Sequence, residues 1–177
     1  MQIPLNSVET TKAAQKNLKE DKSLVYGRLV SETGGYGVSL TARRSSNNMN
    51  YGISSPPSQY LFSKHKEDNR DGYFFIFMPP DNYKIKSINF GDGQYAGSVE
   101  ADLDLTVPKN SVVYLGTFVF SWNTTKNYLV IQKGGVQVAI QDEGDDALNR
   151  LRRRFPGLKV EELNLVNSTS NLKRNLP

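Results

Sequence analysis

The chain is 177 residues long, carries a net charge of +4 and contains no cysteine. The missing thiols exclude disulfides, thiolate zinc centres and cysteine nucleophiles, and so mild a charge excess does not point to a nucleic-acid partner. The length suits one domain with short tails, and no apolar run approaches the roughly 18 residues that a membrane-spanning helix needs.

Residues 1–22 are polar and carry Lys12, Lys16, Lys19 and Lys22. They read as a flexible tether with a marginal helix over residues 10–20. They lack the apolar stretch of an export signal, so the chain is expected either in the cytoplasm or as the mature or trimmed form of an exported protein. Strand signals then follow one another. Residues 24–30 form a first strand ended by Gly34-Gly35, and residues 36–43 a second. The Ser-, Asn- and Pro-rich stretch 45–58 reads as a long loop, residues 59–66 as a third strand, and residues 66–72 as a polar turn. In Tyr73-Phe74-Phe75-Ile76-Phe77-Met78 both alternation phases are apolar, which predicts a central strand.

Pro79-Pro80-Asp81-Asn82 breaks that strand. In residues 83–90 the apolar phase shifts from Tyr83 and Ile85 to Ile88 and Phe90, which predicts a β-bulge near Ser87. Residues 99–107 alternate cleanly: Val99, Ala101, Leu103, Leu105 and Val107 against Glu100, Asp102, Asp104 and Thr106. One face is buried and the other wet. After a Pro108-Lys109-Asn110 turn, residues 112–122 make a second central strand with Val112, Tyr114, Phe118, Phe120 and Trp122 on one face. Residues 128–131 and 136–140 are expected as a hairpin around Lys133-Gly134-Gly135.

One helix is clear, over residues 142–155. Asp142, Glu143, Asp145 and Asp146 open it, Arg150, Arg152, Arg153 and Arg154 close it, and Pro156-Gly157 stops it. Its stripe of Ala147, Leu148, Leu151 and Phe155 is spaced to dock on a sheet. Residues 160–166 add a final edge strand, and 167–177 read as a disordered tail. The organisation is therefore a tether (1–22), a mainly β, antiparallel sandwich domain with one C-terminal helix (23–166), and a tail.

The order of these pieces resembles the carboxypeptidase-regulatory-like, or transthyretin-like, β-sandwich. The resemblance rests on Val25-Tyr26-Gly27-Arg28-Leu29-Val30, on Val38-Ser39-Leu40 and on the run from Asp71-Gly72-Tyr73 through Pro79-Pro80-Asp81-Asn82-Tyr83-Lys84-Ile85. Where the family pattern has Pro-Pro-Gly, this chain has Pro-Pro-Asp-Asn, and Asn also tolerates the left-handed backbone. Val112-Val113-Tyr114-Leu115-Gly116-Thr117 is similar to a strand of small bacterial envelope lipoproteins. The resemblance implies a periplasmic or outer-membrane lipoprotein setting. It implies no catalysis, since the peptidase's metal motif is missing.

Candidate chemistry is sparse. His65 is the one histidine, and a hydrolase built on it would need Asp68 or Asp71 as orienter and a serine nucleophile. No Gly-x-Ser-x-Gly elbow accompanies it, and an ordinary exposed imidazole is the preferred reading. Glu100, Asp102 and Asp104 share a strand face and are weak candidates for Ca²⁺, but no calcium-loop spacing is present. The arginine run, with Arg150, Arg153 and Arg154 as candidate contacts, suits phosphates, lipid headgroups or an acidic partner; helix-dipole complementarity is the simpler account. Tyr36, Tyr51, Tyr60 and Tyr95 fall in or beside expected loops, where tyrosines stack on sugars or anchor proteins. The reading that follows is a non-enzymatic, cofactor-free accessory module of the cell envelope. It would bind a protein or glycan partner through its loops, with membrane association through the N-terminal tether. A carbohydrate-binding module using edge tyrosines is the alternative.

Overall fold

The computed structural model describes residues 2–4, 10–31, 37–55, 71–91, 96–122, 125–127, 130–132 and 136–174. In chain order the elements are β1 (Gln2–Pro4), α1 (Thr11–Lys19), β2 (Ser23–Ser31), β3 (Gly37–Arg44), β4 (Asn50–Ser55), β5 (Tyr73–Met78), β6 (Asp81–Gly91), β7 (Ala96–Val107) and β8 (Ser111–Trp122). They continue with β9 (Thr125–Asn127), β10 (Val130–Gln132), β11 (Val136–Gln141), α2 (Gly144–Arg154), a 3₁₀ turn (Val160–Glu162), β12 (Asn164–Asn167) and α3 (Thr169–Arg174).

Two main sheets stack, as the period-two patterning predicts. The first, here the outer sheet, runs β1-β4-β3-β6-β7. The second, the middle sheet, runs β11-β8-β2-β5 and is mixed rather than antiparallel as expected, since β2 and β12 both run parallel to β8. The inward residues of both sheets form one core: Leu40, Ile53, Ile85, Ile88, Leu103 and Leu105 from the outer sheet meet Val25, Leu29, Phe74, Ile76, Val113 and Phe118 from the middle one. The opposite face of the middle sheet is also buried. Leu24, Tyr26, Phe75, Val112 and Tyr114 pack against Ala14 and Leu18 of α1, Ala147 and Leu151 of α2, and Phe155. The architecture is therefore three layers: outer sheet, middle sheet, helices.

This third layer accounts for several departures from the sequence reading. The amino-terminal segment, expected as a tether, contributes a docked helix. Thr10 Oγ1 accepts from the Ala13 amide at 3.2 Å, and Ala14 and Leu18 are buried. In β5 both apolar phases are consumed, one by the core and one by the helices. That pattern does not require a central place, and β5 pairs with β2 alone among the described residues.

In β8 the single apolar face expected for residues 112–122 is split. Val112 and Tyr114 face the helices, while Phe118 and Phe120 face the outer sheet. The switch falls where Tyr26 pairs Tyr114 but Arg28 pairs Thr117, which leaves β8 one residue longer than β2. Gly116, at φ 106, occupies this bulge. The one bulge expected from sequence, near Ser87, is present: the β6–β7 register shifts between Ile85 and Ser87.

Residues 50–55, assigned to a loop, form β4, because Tyr51 and Ile53 alternate into the core. The expected hairpin of 128–131 with 136–140 does not form among the described residues: β10 pairs β9, and β11 pairs β8. Of residues 160–166, the first part is the 3₁₀ turn and the rest enters β12. The tail includes α3, whose Leu172 is fully buried in the core. The strand expected at 59–66 lies outside the described residues.

Candidate functional site

Two polar assemblies stand out from this frame. The first ties α2 to the middle sheet. Arg28 is a lone cation in an apolar strand. Its Nε donates to the Asp71 carbonyl at 2.7 Å, and its Nη1 lies 3.4 Å from Glu143 Oε2. The Thr117 hydroxyl, almost wholly buried, donates to the same Glu143 oxygen at 2.6 Å. The Glu143 amide in turn donates to the Tyr114 hydroxyl at 3.1 Å, which lies 3.4 Å from Thr117 Oγ1. One self-consistent chain results, in which Tyr114 donates to Thr117 and Thr117 to Glu143. Arg150 adds a second tie, 2.8 Å from Asp71 Oδ2. The guanidinium carbons of Arg28 and Arg150 each lie 5.4 Å from the centre of the Tyr73 ring. Burial raises the Tyr73 hydroxyl above the ordinary tyrosine range, and the two arginines pull the other way.

Carboxylates already meet both cations, so the cluster is chemically a latch rather than an open anion pocket. Removing one partner leaves a buried hydroxyl and a guanidinium under-satisfied. Glu143→Ala is expected to cost on the order of 1–3 kcal/mol by urea denaturation. In a double-variant cycle with Thr117→Val the two losses should be clearly less than additive.

The second assembly is the solvent side of the outer sheet. Lys84 Nζ lies 3.0 Å from Asp102 Oδ1 and 3.5 Å from Asp104 Oδ1, and Lys86 Nζ lies 3.1 Å from Asp102 Oδ1. Hydrogen bonds from Lys84 and then Lys86 hold the Asp102 carboxyl below its usual range. Further along the same face, Asn89 Nδ2 donates to Thr41 Oγ1 and Ser87 Oγ at 3.3 Å each, while Ser98 Oγ donates to Asn89 Oδ1 at 2.8 Å. Beside this group lies an open concavity of about 440 Å³, lined in part by Gly37, Ser39, Asn89, Gly91, Gly97 and Ser98. Gly97 lets the Phe90 ring of the paired strand lie close over it: a Cβ there would come within 2.1 Å of the ring, which would have to shift.

The residues singled out from sequence fare unevenly. Tyr51, expected as an exposed binding side chain, is a core residue of β4 at 7% exposure, with its ring edge-on to Tyr83 at 5.9 Å. Tyr60 and Tyr95 lie outside the described residues, as do Tyr36, His65 and Asp68. The arginine run is not one patch. Arg150 belongs to the latch, Arg152 pairs with Glu161 at 3.0 Å, the Arg154 guanidinium lies 5.4 Å from the Phe155 ring, and Arg153 is exposed. Asp102 and Asp104 share the wet face of β7 with Glu100, and Lys84 and Lys86 reach the two aspartates from β6. Among the described residues no group of three or more His, Cys, Asp or Glu side chains is placed to hold a metal ion. The latch itself escaped the sequence reading, although a single arginine within residues 24–30 was a usable signal.

No protein-family model and no curated protein matches the chain. Among solved structures, the crystal structure of 3-chlorocatechol 1,2-dioxygenase from Rhodococcus opacus 1CP aligns with a TM-score of 0.24 at 10% identity. The alignment covers 80% of this chain and 62% of that one, and at such a score it carries no argument about fold or function.

Proposed function

We propose that this protein is a non-catalytic binding and assembly module of the cell envelope whose recognition surface is the solvent side of the outer sheet. The supporting observation is an asymmetry between the two sheets. Helices α1 and α2 cover the middle sheet, whereas the outer sheet presents a ladder of fixed polar groups from Lys84 and Asp102 to Asn89 and Ser98. Side chains held on paired strands bind with little ordering cost. The envelope setting rests on the transthyretin-like and lipoprotein-like sequence patterns.

The concavity favours one ligand class within this reading. Among the described residues its lining is glycine-rich, with the Phe90 ring, two hydroxyls and one amide and no charged side chain. That chemistry suits a neutral polyhydroxylated ligand, such as a glycan, more than an anion. A glycan array probed with the wild-type protein and with Asn89→Leu tests it. Binding that the Asn89→Leu variant loses supports the glycan reading, and absence of any wild-type binding removes it. Fractionation of cells producing the natural gene product tests the setting: recovery in the cytoplasm alone would reject the envelope assignment.

A further inference from the structure

Among the described residues, strand β7 is the longest strand at a sheet edge. It spans 12 residues and pairs with β6 on one side only, among the described residues. A strand of that length extends about 40 Å. Helix α3, of six residues, contacts β7 as well as β8 and β11. Six helical residues extend about 9 Å, so α3 can run along only a fraction of the strand's length. An edge of this kind presents a row of backbone donors and acceptors to any chain that can lie beside it.

Its side chains select which chain that is. On the wet face, Glu100, Asp102 and Asp104 recur at every second residue, each exposed. On the core face, Ala101, Leu103 and Leu105 recur in the other phase and are buried. Lys84 and Lys86 reach Asp102 and Asp104 from the β6 side, while Asp102 and Asp104 remain 66% and 72% exposed. A second copy of the chain joined edge to edge at β7 would set acids beside acids, which is unfavourable in a sheet. An extended segment with Lys or Arg at alternate positions and Val, Ile or Leu between them meets both faces. Its cations would lie beside the three carboxylates, and its apolar side chains would prolong the row of Ala101, Leu103 and Leu105.

We propose that the β7 edge is a strand-addition site for a basic, amphipathic, extended segment of another protein. The inference rests on the binding-module reading above and names the partner class for its assembly role. It does not use the concavity, so a failed glycan array leaves it intact, and its own failure leaves the glycan reading intact.

The experiment uses the full chain and an acetylated, amidated peptide of alternating lysine and valine, with amide exchange followed by NMR or mass spectrometry. The expected result is slowed exchange across residues 99–107 on peptide addition, lost when alternate peptide amides are N-methylated, because methylation removes the strand's hydrogen bonds. Glu100→Gln combined with Asp104→Asn should weaken binding about fivefold, from two lost cross-strand charge pairs. No protection at 99–107, protection elsewhere, or equal binding of the N-methylated peptide would overturn the proposal. A concentration-dependent dimer in sedimentation that protects the same residues without peptide would assign the edge to a second copy and overturn it equally.

Discussion

Replacing Gly72 by alanine should be among the most damaging single changes available in this chain, costing on the order of 3 kcal/mol or more. Gly72 introduces β5 with φ 80, a conformation in which an L side chain is strained by about 1 kcal/mol. The steric term is the larger one. A Cβ at this position would lie 2.1 Å from the Leu29 carbonyl oxygen. The Leu29 amide donates to the Gly72 carbonyl at 2.9 Å, so the two backbones are held at that spacing. Relief requires β5 to move off β2, which would disturb Phe74 and Ile76 in the core and the nearby Arg28–Asp71 tie. Gly157→Ala is the matched control. Gly157 has a similar φ of 86, but nothing lies within 4 Å of its hypothetical Cβ, so it should show backbone strain alone, about 1 kcal/mol. Urea denaturation of both variants separates the two terms. Equal losses at 72 and 157 would show that the close approach to Leu29 contributes nothing.

That glycine sits at a junction the sequence displays only in part. The alternating residues of 99–107 and the apolar run 73–78 could be read directly, because burial on paired strands imposes a period of two on side-chain polarity. Even the bulge near Ser87 was visible as a phase shift between Ile85 and Ile88. Gly116 defeated the same logic. A glycine is silent in a polarity pattern, so Val112, Tyr114, Phe118 and Phe120 looked like one continuous face when the bulge had moved two of them to the other side of the sheet.

The helical layer was half visible for a related reason. The stripe on α2 is complete within one helix. The apolar contribution of α1 is Ala13, Ala14 and Leu18 among lysines, too little to signal docking until the buried face of the middle sheet that they join is known. The latch was hidden more deeply still. Arg28, Asp71, Thr117, Glu143 and Arg150 are scattered through the chain, and only the pairing of β2 with both β5 and β8 brings them together. Tyr51 shows the converse error. A tyrosine among Ser and Asn residues looks like a loop side chain, yet its phase matches Ile53, and both point inward.

The layering has an energetic consequence that Phe155→Ala should expose. Phe155 ends α2 and is fully buried, with its ring edge-on to Phe75 at 5.5 Å and an interplanar angle of 87°. Its amide donates to the Leu151 carbonyl at 3.0 Å, and its own carbonyl accepts from Leu158 at 3.0 Å, so it also anchors the chain reversal after the helix. Truncating a buried phenylalanine typically costs about 3–5 kcal/mol through lost contacts and the cavity left behind. Here the loss should be local before it is global. The cluster around Phe155 is separated from the inter-sheet core by the middle sheet itself, and the two share strands but no buried side chain. Hydrogen exchange in Phe155→Ala should therefore accelerate first in α1 and α2, while amides of β6 and β7 keep most of their protection. In a matched variant, Phe118→Ala, the cavity falls between the sheets, and β6 and β7 should lose protection along with the rest. A uniform loss of protection in both variants would mean that the three layers unfold as one cooperative unit. The helices would then be as integral to the sandwich as its strands.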